Sequence, residues 1–221
     1  MIIDCIGCLH GYYPKLEGGD LLIITGDLTK GDRSKEYEDF NTWLLGQEYK
    51  KKIVIAGNHD NFLMKKETAK LVCMGAEYLC DSGTEFEGLK IWGSPWIAQF
   101  PGINPKCCAF TVRKFDHTDE ILDEYWKNIP ENIDILITHG PPYGILDGIS
   151  NEDGSDFHAG SASLRNIVLS NLRMPKLKFH IFSHIHEQGG KIFESTLTKF
   201  VNCSIMNEKY KPVNKPVRII L

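Results

Sequence analysis

The sequence predicts a layered α/β domain. Short apolar runs bounded by turn residues alternate with segments whose apolar residues repeat at the helical period, the pattern of strands and covering helices. Several runs are continuously Ile, Val, Leu and Phe, as expected of strands covered on both faces. Polar signatures rich in Gly, Asp, Asn and His close those runs, where open α/β sheets bind their ligands.

Met1–Ile6, Leu21–Thr25 and Ile53–Ala56 read as the first strands. Ser34–Leu45 is predicted helical, with Tyr37, Phe40, Leu44 and Leu45 on one face and Glu36, Glu38 and Asp39 on another. Lys50, Lys51 and Lys52 precede the third run and read as a solvated edge. Lys90–Trp92 and Ile133–Thr138 are the next strands. Between them a helix over Thr118–Lys127 sets Ile121, Leu122 and Tyr125 against Asp119, Glu120 and Glu124. Ser161–Leu172, with Leu164, Val168 and Leu172 in register, is a further helix ahead of strands Phe179–Phe182, Lys199–Val201 and Val217–Leu221. Segments 93–117 and 143–160 are the least regular, and long irregular stretches in compact domains often form lids or binding loops. No internal repeat or Pro/Gly linker divides the chain, so 1–221 reads as one domain.

A length of 221 residues suits one substantial core, and 42% hydrophobic with 24% charged residues is a soluble globular composition. A formal charge of −4 gives no basic field for long nucleic acid. Met1 leads straight into Ile2-Ile3-Asp4 without a basic start or a long apolar stretch, so neither export nor a membrane span is expected. Seven scattered cysteines, an odd number, suit reduced thiols in a cytoplasm better than a disulfide framework. Cys5-Ile6-Gly7-Cys8 is formally a C-x-x-C pair, but residues three apart in a strand point to opposite faces, which speaks against a redox motif.

The signatures are Gly7-Cys8-Leu9-His10-Gly11, Gly26-Asp27, Gly57-Asn58-His59-Asp60, Thr138-His139-Gly140-Pro141 and Ser183-His184-Ile185-His186. Unpaired polar groups are costly to bury, so such residues are poor core formers at strand ends. They suit divalent cations, which need O and N donors converging from several strands. A Gly-x-Ser-x-Gly elbow and a Gly-rich Lys-Ser/Thr phosphate loop are both absent from the sequence, so neither serine-nucleophile nor nucleotide-driven chemistry is indicated.

In order and spacing these signatures resemble the calcineurin-like metallophosphoesterases, and within them the small metallophosphoesterase-domain-containing group. The similar stretches include His10-Gly11-Tyr12-Tyr13-Pro14, Gly26-Asp27-Leu28-Thr29, Trp92-Gly93-Ser94-Pro95-Trp96, Thr138-His139-Gly140-Pro141-Pro142 and His184-Ile185-His186-Glu187, with a weaker echo in Val201-Asn202-Cys203-Ser204. The resemblance implies two facing mixed β-sheets flanked by helices. It implies one metal held by Cys8, His10, Asp27 and His186, and a second held by Asp27, Asn58, His139 and His184, with Asp27 bridging. Asn58 and His59 fall at the catalytic positions, and His59 would give a proton or hydrogen bond to the phosphate or leaving oxygen. Histidine suits that role because its ordinary pKa is close to 6.5. Alternate residues of Ser183–His186 are expected to put both imidazoles on one side of an extended segment. The implied reaction is phosphate-ester hydrolysis by in-line attack of a metal-activated water.

Cys8 departs from the family pattern, which has Asp there. A thiolate at that point would favour Zn²⁺ or iron and disfavour Mg²⁺, while the second site accepts Mn²⁺ or Zn²⁺. Alternatively the first site is weak. RNA lariat-debranching enzymes are similar in carrying Cys in a Gly-Cys-x-His-Gly signature. The resemblance favours a phosphodiester, nucleotide-type substrate. The alternatives are debranching of RNA and a non-catalytic binding scaffold of the same fold. Tyr12 and Tyr13 are candidates to shape a pocket, and His158 reads equally as pocket or surface. Arg113 reads as a surface residue with phosphate contact as the alternative, and Asp147, Glu152, Asp153 and Asp156 read as solvated loop. Trp92–Phe100 or the C-terminal strand would support a homodimer.

Overall fold

Leu21, Leu22, Ile23 and Ile24 are all fully buried, and their side chains alternate between two separate cores. That strand is therefore covered on both faces, as the continuous apolar run predicts. The computed structural model describes residues 1–99, 106–112, 118–150 and 156–221. The first half holds β1 (Ile2–Ile6), β2 (Gly19–Ile24), α1 (Ser34–Leu45), β3 (Tyr49–Val54), α2 (Lys66–Val72), β4 (Glu77–Tyr78), β5 (Ser82–Phe86) and β6 (Leu89–Ser94). There follow β7 (Ile97–Ala98), β8 (Thr111–Val112), α3 (Thr118–Trp126), β9 (Ile135–Thr138), β10 (Gly148–Ser150) and β11 (Asp156–His158). The last elements are α4 (Ala162–Val168), β12 (Phe179–Phe182), β13 (Ile192–Glu194), β14 (Lys199–Asn202) and β15 (Val217–Ile220).

Two mixed sheets face each other. The first runs β15-β1-β2-β3-β4, with β1 through β4 parallel and β15 antiparallel on the outer edge. The second runs β13-β14-β12-β9-β6-β5, with β14, β12, β9 and β6 parallel and an antiparallel strand on each edge. Ile3, Leu21, Ile23 and Ile53 of the first meet Ile135, Ile137, Ile181 and Val201 of the second to form the inner core. The alternate residues Leu22, Ile24 and Val54 pack under Tyr37, Phe40 and Leu44 of α1 and Ala69 and Val72 of α2. On the far side Leu136, Phe182 and Phe200 pack under Leu122 and Trp126 of α3 and Leu164 and Val168 of α4. The resulting helix–sheet–sheet–helix layering matches the predicted fold class. Among the described residues no helix is long and apolar enough to cross a membrane.

Some expectations are corrected. Lys50, Lys51 and Lys52 lie inside β3 rather than before it, and their charges are absorbed locally: Lys50 meets Asp20 at 2.7 Å and Lys51 meets Glu77 at 2.7 Å. The helix expected over Ser161–Leu172 ends at Val168, with Ser161 as its N-cap; Leu172 is 93% exposed and packs nowhere. A single residue in helical register is weak support without a further turn to continue it. Helix α2 and the short strands β4, β7, β8, β10 and β11 have too few residues to display a period.

His180 in β12 was invisible to motif reasoning. The Thr138 hydroxyl donates to the Gly140 carbonyl at 2.6 Å, so His180 Nε2 is the donor in its 2.8 Å contact with Thr138 Oγ1, and Nδ1 has no hydrogen-bond partner. Burial holds this imidazole down to about 3. A depressed histidine loses stability as pH falls below its unfolded value near 6.5, because only the unfolded chain takes up the proton. At pH 5 the penalty is about 2 kcal/mol. Denaturant unfolding of His180→Leu is therefore expected to show a difference between pH 7 and pH 5 smaller by about 2 kcal/mol; an unaltered difference would assign the acid sensitivity elsewhere.

Candidate metal centre

The parallel strands of both sheets deliver their carboxyl ends to one place, and backbone hydrogen bonds tie those ends together. Gly7 forms a parallel bridge with Ser204, giving its N–H to the Cys203 carbonyl at 2.9 Å and accepting from Ile205 N at 3.1 Å. The turns after β1 and β2 hold each other: Cys8 N donates to Gly26 O at 3.0 Å and His10 N to Asp27 O at 2.9 Å. Ser183 N reaches the His139 carbonyl at 3.0 Å, and the Thr25 hydroxyl donates to Ser183 Oγ at 2.8 Å across the sheets. Gly57 allows a close approach, since a Cβ there would overlap Asp27 and the His139 ring.

Cys8, His10, Asp27 and His184 all adopt left-handed backbone, with φ of 51, 44, 54 and 66°. This region is costly for residues with a Cβ and concentrates at functional sites. It also corrects the expectation of an extended Ser183–His186 segment. His184 is left-handed and His186 opens a 3₁₀ turn, His186–Gln188. The His184 ring consequently stands 4.8 Å from that of His139, while the His186 ring stands 5.2 Å from that of His10.

The donor atoms converge. Asp27 Oδ2 lies 3.5 Å from His10 Nε2 and 3.4 Å from His139 Nε2, between two groups of ligating atoms. On one side His10 Nε2 and His186 Nε2 are 3.2 Å apart, with Cys8 in the same cluster. On the other His139 Nε2 is 3.1 Å from Asn58 Oδ1, and His184 joins Asp27 and His139. Backbone carbonyls orient these rings. His139 Nδ1 bonds Thr25 O at 2.7 Å and His186 Nδ1 bonds Asn207 O at 3.1 Å, which turns both Nε2 atoms inward. The Asn58 amide donates to Cys107 O at 2.9 Å, leaving Oδ1 toward His139. Asp27 Oδ1 accepts the His59 N–H at 2.9 Å, and His59 Nδ1 donates to Lys30 O at 3.2 Å. All seven proposed ligands and His59 thus meet in one place.

Burial pushes His10 down to about 3 and holds His184 and His186 below the ordinary imidazole range, so these rings are neutral, the form that binds cations. For His139 burial acts the same way, but the Asp27 carboxylate and its hydrogen bond outweigh it and raise the ring to about 9. Burial alone would raise Asp27; the His139 and His59 imidazoles hold it well below the carboxylate range instead. Burial, with Asp27 beside it, pushes the Cys8 thiol up to about 11, and its sulfur accepts the His184 N–H at 3.1 Å.

The donor set fits a pair of divalent ions. Ligands roughly 2.0–2.2 Å from one cation stand about 3.0–3.5 Å from one another, the range seen among these N and O atoms. His10 faces Asp27 and His186 through Nε2, and its Nδ1 is buried without a hydrogen-bond partner.

Other candidates fall elsewhere. The Tyr13 hydroxyl donates to Glu36 O at 3.0 Å and its ring packs on Trp43 and Phe40, so it belongs to the α1 core. Asp147 is buried rather than solvated, accepting from Gly144 N, Gly160 N and His158 Nδ1 at 2.9, 3.1 and 2.8 Å. Arg113, Glu152 and Asp153 lie outside the described residues, as does the side chain of Asp156. Asn207 and Tyr210 at the centre escaped motif reading, whereas Asp60 stood in a signature but among no proposed ligands. Asp60 pins its loop by accepting from Gly57 N at 2.8 Å and Leu28 N at 3.0 Å. Asn207 orients His186, and the Tyr210 ring stands 4.8 Å from that of His10. Asp60 carried a signal in Gly57-Asn58-His59-Asp60; the other two had none.

Residues 1–188 match the calcineurin-like phosphoesterase family. The chain is 36% identical over 227 residues to human metallophosphoesterase domain-containing protein 1, covering 92% of this chain and 65% of that protein's length. It is 34% identical over 246 residues to the Caenorhabditis elegans UPF0046 protein T07D4.2, covering 96% of this chain and 58% of the relative. The fold is shared with TT1561 of Thermus thermophilus, at a TM-score of 0.56 and 15% identity over 92% of this chain and 88% of that one. Strand ends, donor convergence and similarity agree: the chain belongs to the calcineurin-like phosphoesterase family.

Proposed function

We propose that the chain is a metal-dependent phosphodiesterase acting on a small, nucleotide-type phosphodiester, with residues 1–221 forming one catalytic domain. One observation carries this reading: a single carboxylate oxygen, Asp27 Oδ2, stands within 3.5 Å of a histidine nitrogen from each of two donor groups. Divalent ions bound there would supply the Lewis acidity that activates water and neutralises phosphoryl oxygens. The proposed ligands are Cys8, His10, Asp27 and His186 for one ion, and Asp27, Asn58, His139 and His184 for the other. Nδ1 of His139 is committed to Thr25 O, so the proton His139 would give up on binding a cation is the one at Nε2, the atom that faces Asn58 and Asp27. His59 is fixed through Nδ1 to Lys30 O, so its Nε2 is the atom that takes and gives a proton. We assign it proton donation to the leaving oxygen.

Hydrolysis of bis(p-nitrophenyl) phosphate with Mn²⁺ tests the reading. The native chain is expected to turn over, and Asn58→Ala or His139→Ala to lose that turnover. A native chain that binds Mn²⁺ yet cleaves neither diesters nor monoesters would favour the scaffold reading instead.

Cys8 decides the choice of metal. A cation beside its sulfur would reverse the balance that keeps the thiol protonated, and thiolate ligation would select Zn²⁺ or iron over Mg²⁺. Cys8→Asp is expected to shift metal preference toward Mn²⁺ in competition assays read by metal analysis. An unchanged preference would argue against sulfur ligation. A cytoplasmic setting is proposed on the odd number and scattered placement of the cysteines. A homodimer is proposed to use the outer edge of β15, where Ile220 and Leu221 are exposed.

A further inference from the structure

Tyr210 belongs to no sequence signature, yet its ring stands 4.8 Å from that of His10, 4.9 Å from His186 and 6.4 Å from His59. Its plane crosses those of His10 and His186 at 68 and 79°, and the two imidazoles cross each other at 71°. The three rings are therefore steep, adjoining walls of one corner at the first donor group. Two walls are sealed, His10 at 7% and His186 at 9% exposure, whereas Tyr210 is 50% exposed. Part of its ring packs into the corner and the remainder forms the rim.

The position is held against strain. Tyr210 is left-handed with φ 54°, a costly conformation for a bulky aromatic residue. Asn207 locks the turn: its carbonyl accepts Tyr210 N at 2.9 Å, and its Oδ1 accepts Lys209 N and Lys211 N at 3.0 Å each. The same carbonyl accepts His186 Nδ1, so one residue places both a proposed ligand and the tyrosine wall. The half-exposed ring buries little for this cost, so core packing does not account for it. Strain of this kind points to a function that needs the residue at that spot.

We propose that Tyr210 is the residue that selects flat aromatic ester groups at this centre. The inference rests on the phosphoesterase reading above. A phosphoryl group seated among the donors directs its ester groups out past the rim, where Tyr210 offers exposed aromatic surface. Ring-on-ring contact discriminates a flat group from a saturated one of the same size by about fivefold to tenfold in affinity.

Phosphonates test this without turnover, because their carbon–phosphorus bond is not an ester. Calorimetric binding of phenylphosphonate and cyclohexylphosphonate to the Mn²⁺-loaded chain is expected to favour phenyl by about fivefold to tenfold. Tyr210→Leu should bring the two to parity, and Tyr210→Phe should restore the preference. Equal binding of both ligands by the native chain would overturn the inference while leaving the phosphoesterase reading intact, whatever the variants do. A preference that survives Tyr210→Leu would overturn it too. Failure of both phosphonates to bind would sink the phosphoesterase reading and this inference with it.

Discussion

Asp27→Ala is expected to strip both ions from the centre and abolish turnover. Its Oδ2 is shared by the two donor groups, so neither keeps a complete set without it. Removing an outer hydrogen-bond partner of a metal ligand typically costs about 10–100-fold in affinity; loss of a shared ligand should exceed about 100-fold at each position. Two further effects act in the same direction. Asp27 Oδ1 accepts the His59 N–H, so the loop carrying Asn58 loses an anchor. His139, raised to about 9 by this carboxylate against its burial, loses its counter-charge in a fully buried place. Metal content by mass spectrometry, read beside a thermal melt that checks folding, decides the matter. A folded variant that keeps two ions and native turnover would contradict the bridging assignment.

His59→Ala is expected to lower kcat by about 10²–10⁴-fold, the usual contribution of a positioned proton donor. Metal content should hold, because none of the proposed ligands depends on this side chain for orientation. Its ring, 4.6 Å from that of His10 and tethered to Lys30 O, stands beside the donor groups and takes no assigned place among their ligands. The loss should be steepest for alkyl leaving groups, which need protonation, and mildest for p-nitrophenolate, which does not. Equal losses across leaving groups would replace proton donation with a phosphate hydrogen bond, and undiminished turnover would remove His59 from the mechanism altogether.

Much of the fold was legible because β2 and β9 carry continuous apolar runs. A run such as Leu21-Leu22-Ile23-Ile24 admits few surroundings besides a sheet covered on both faces. The proposed ligands were legible because glycine and polar tokens at strand ends follow a rule of α/β sheets and match a family's order. The means of holding them was not. The left-handed backbone at Cys8, His10 and Asp27 goes with hydrogen bonds between the turns after β1 and β2, and that at His184 with its N–H bond to the Cys8 sulfur, neither of which local propensity reports. Asn207 and Tyr210 sit in a polar turn whose composition resembles any surface loop; only the fold brings them beside His186. Asp147 misled for a related reason. An acid in a glycine-rich stretch looks solvated, yet two backbone amides and His158 satisfy it inside.

The pairing of β1 with β15 bears on how the molecule is made. β1 lies in register with residues 217–220, so its outer edge stays open until that distant segment has left the ribosome. The turn with Asn207 and Tyr210 emerges only just before that closing strand. Nascent chains should therefore acquire cations late, after translation has delivered β15, and until then the first strand needs shielding from other polypeptides.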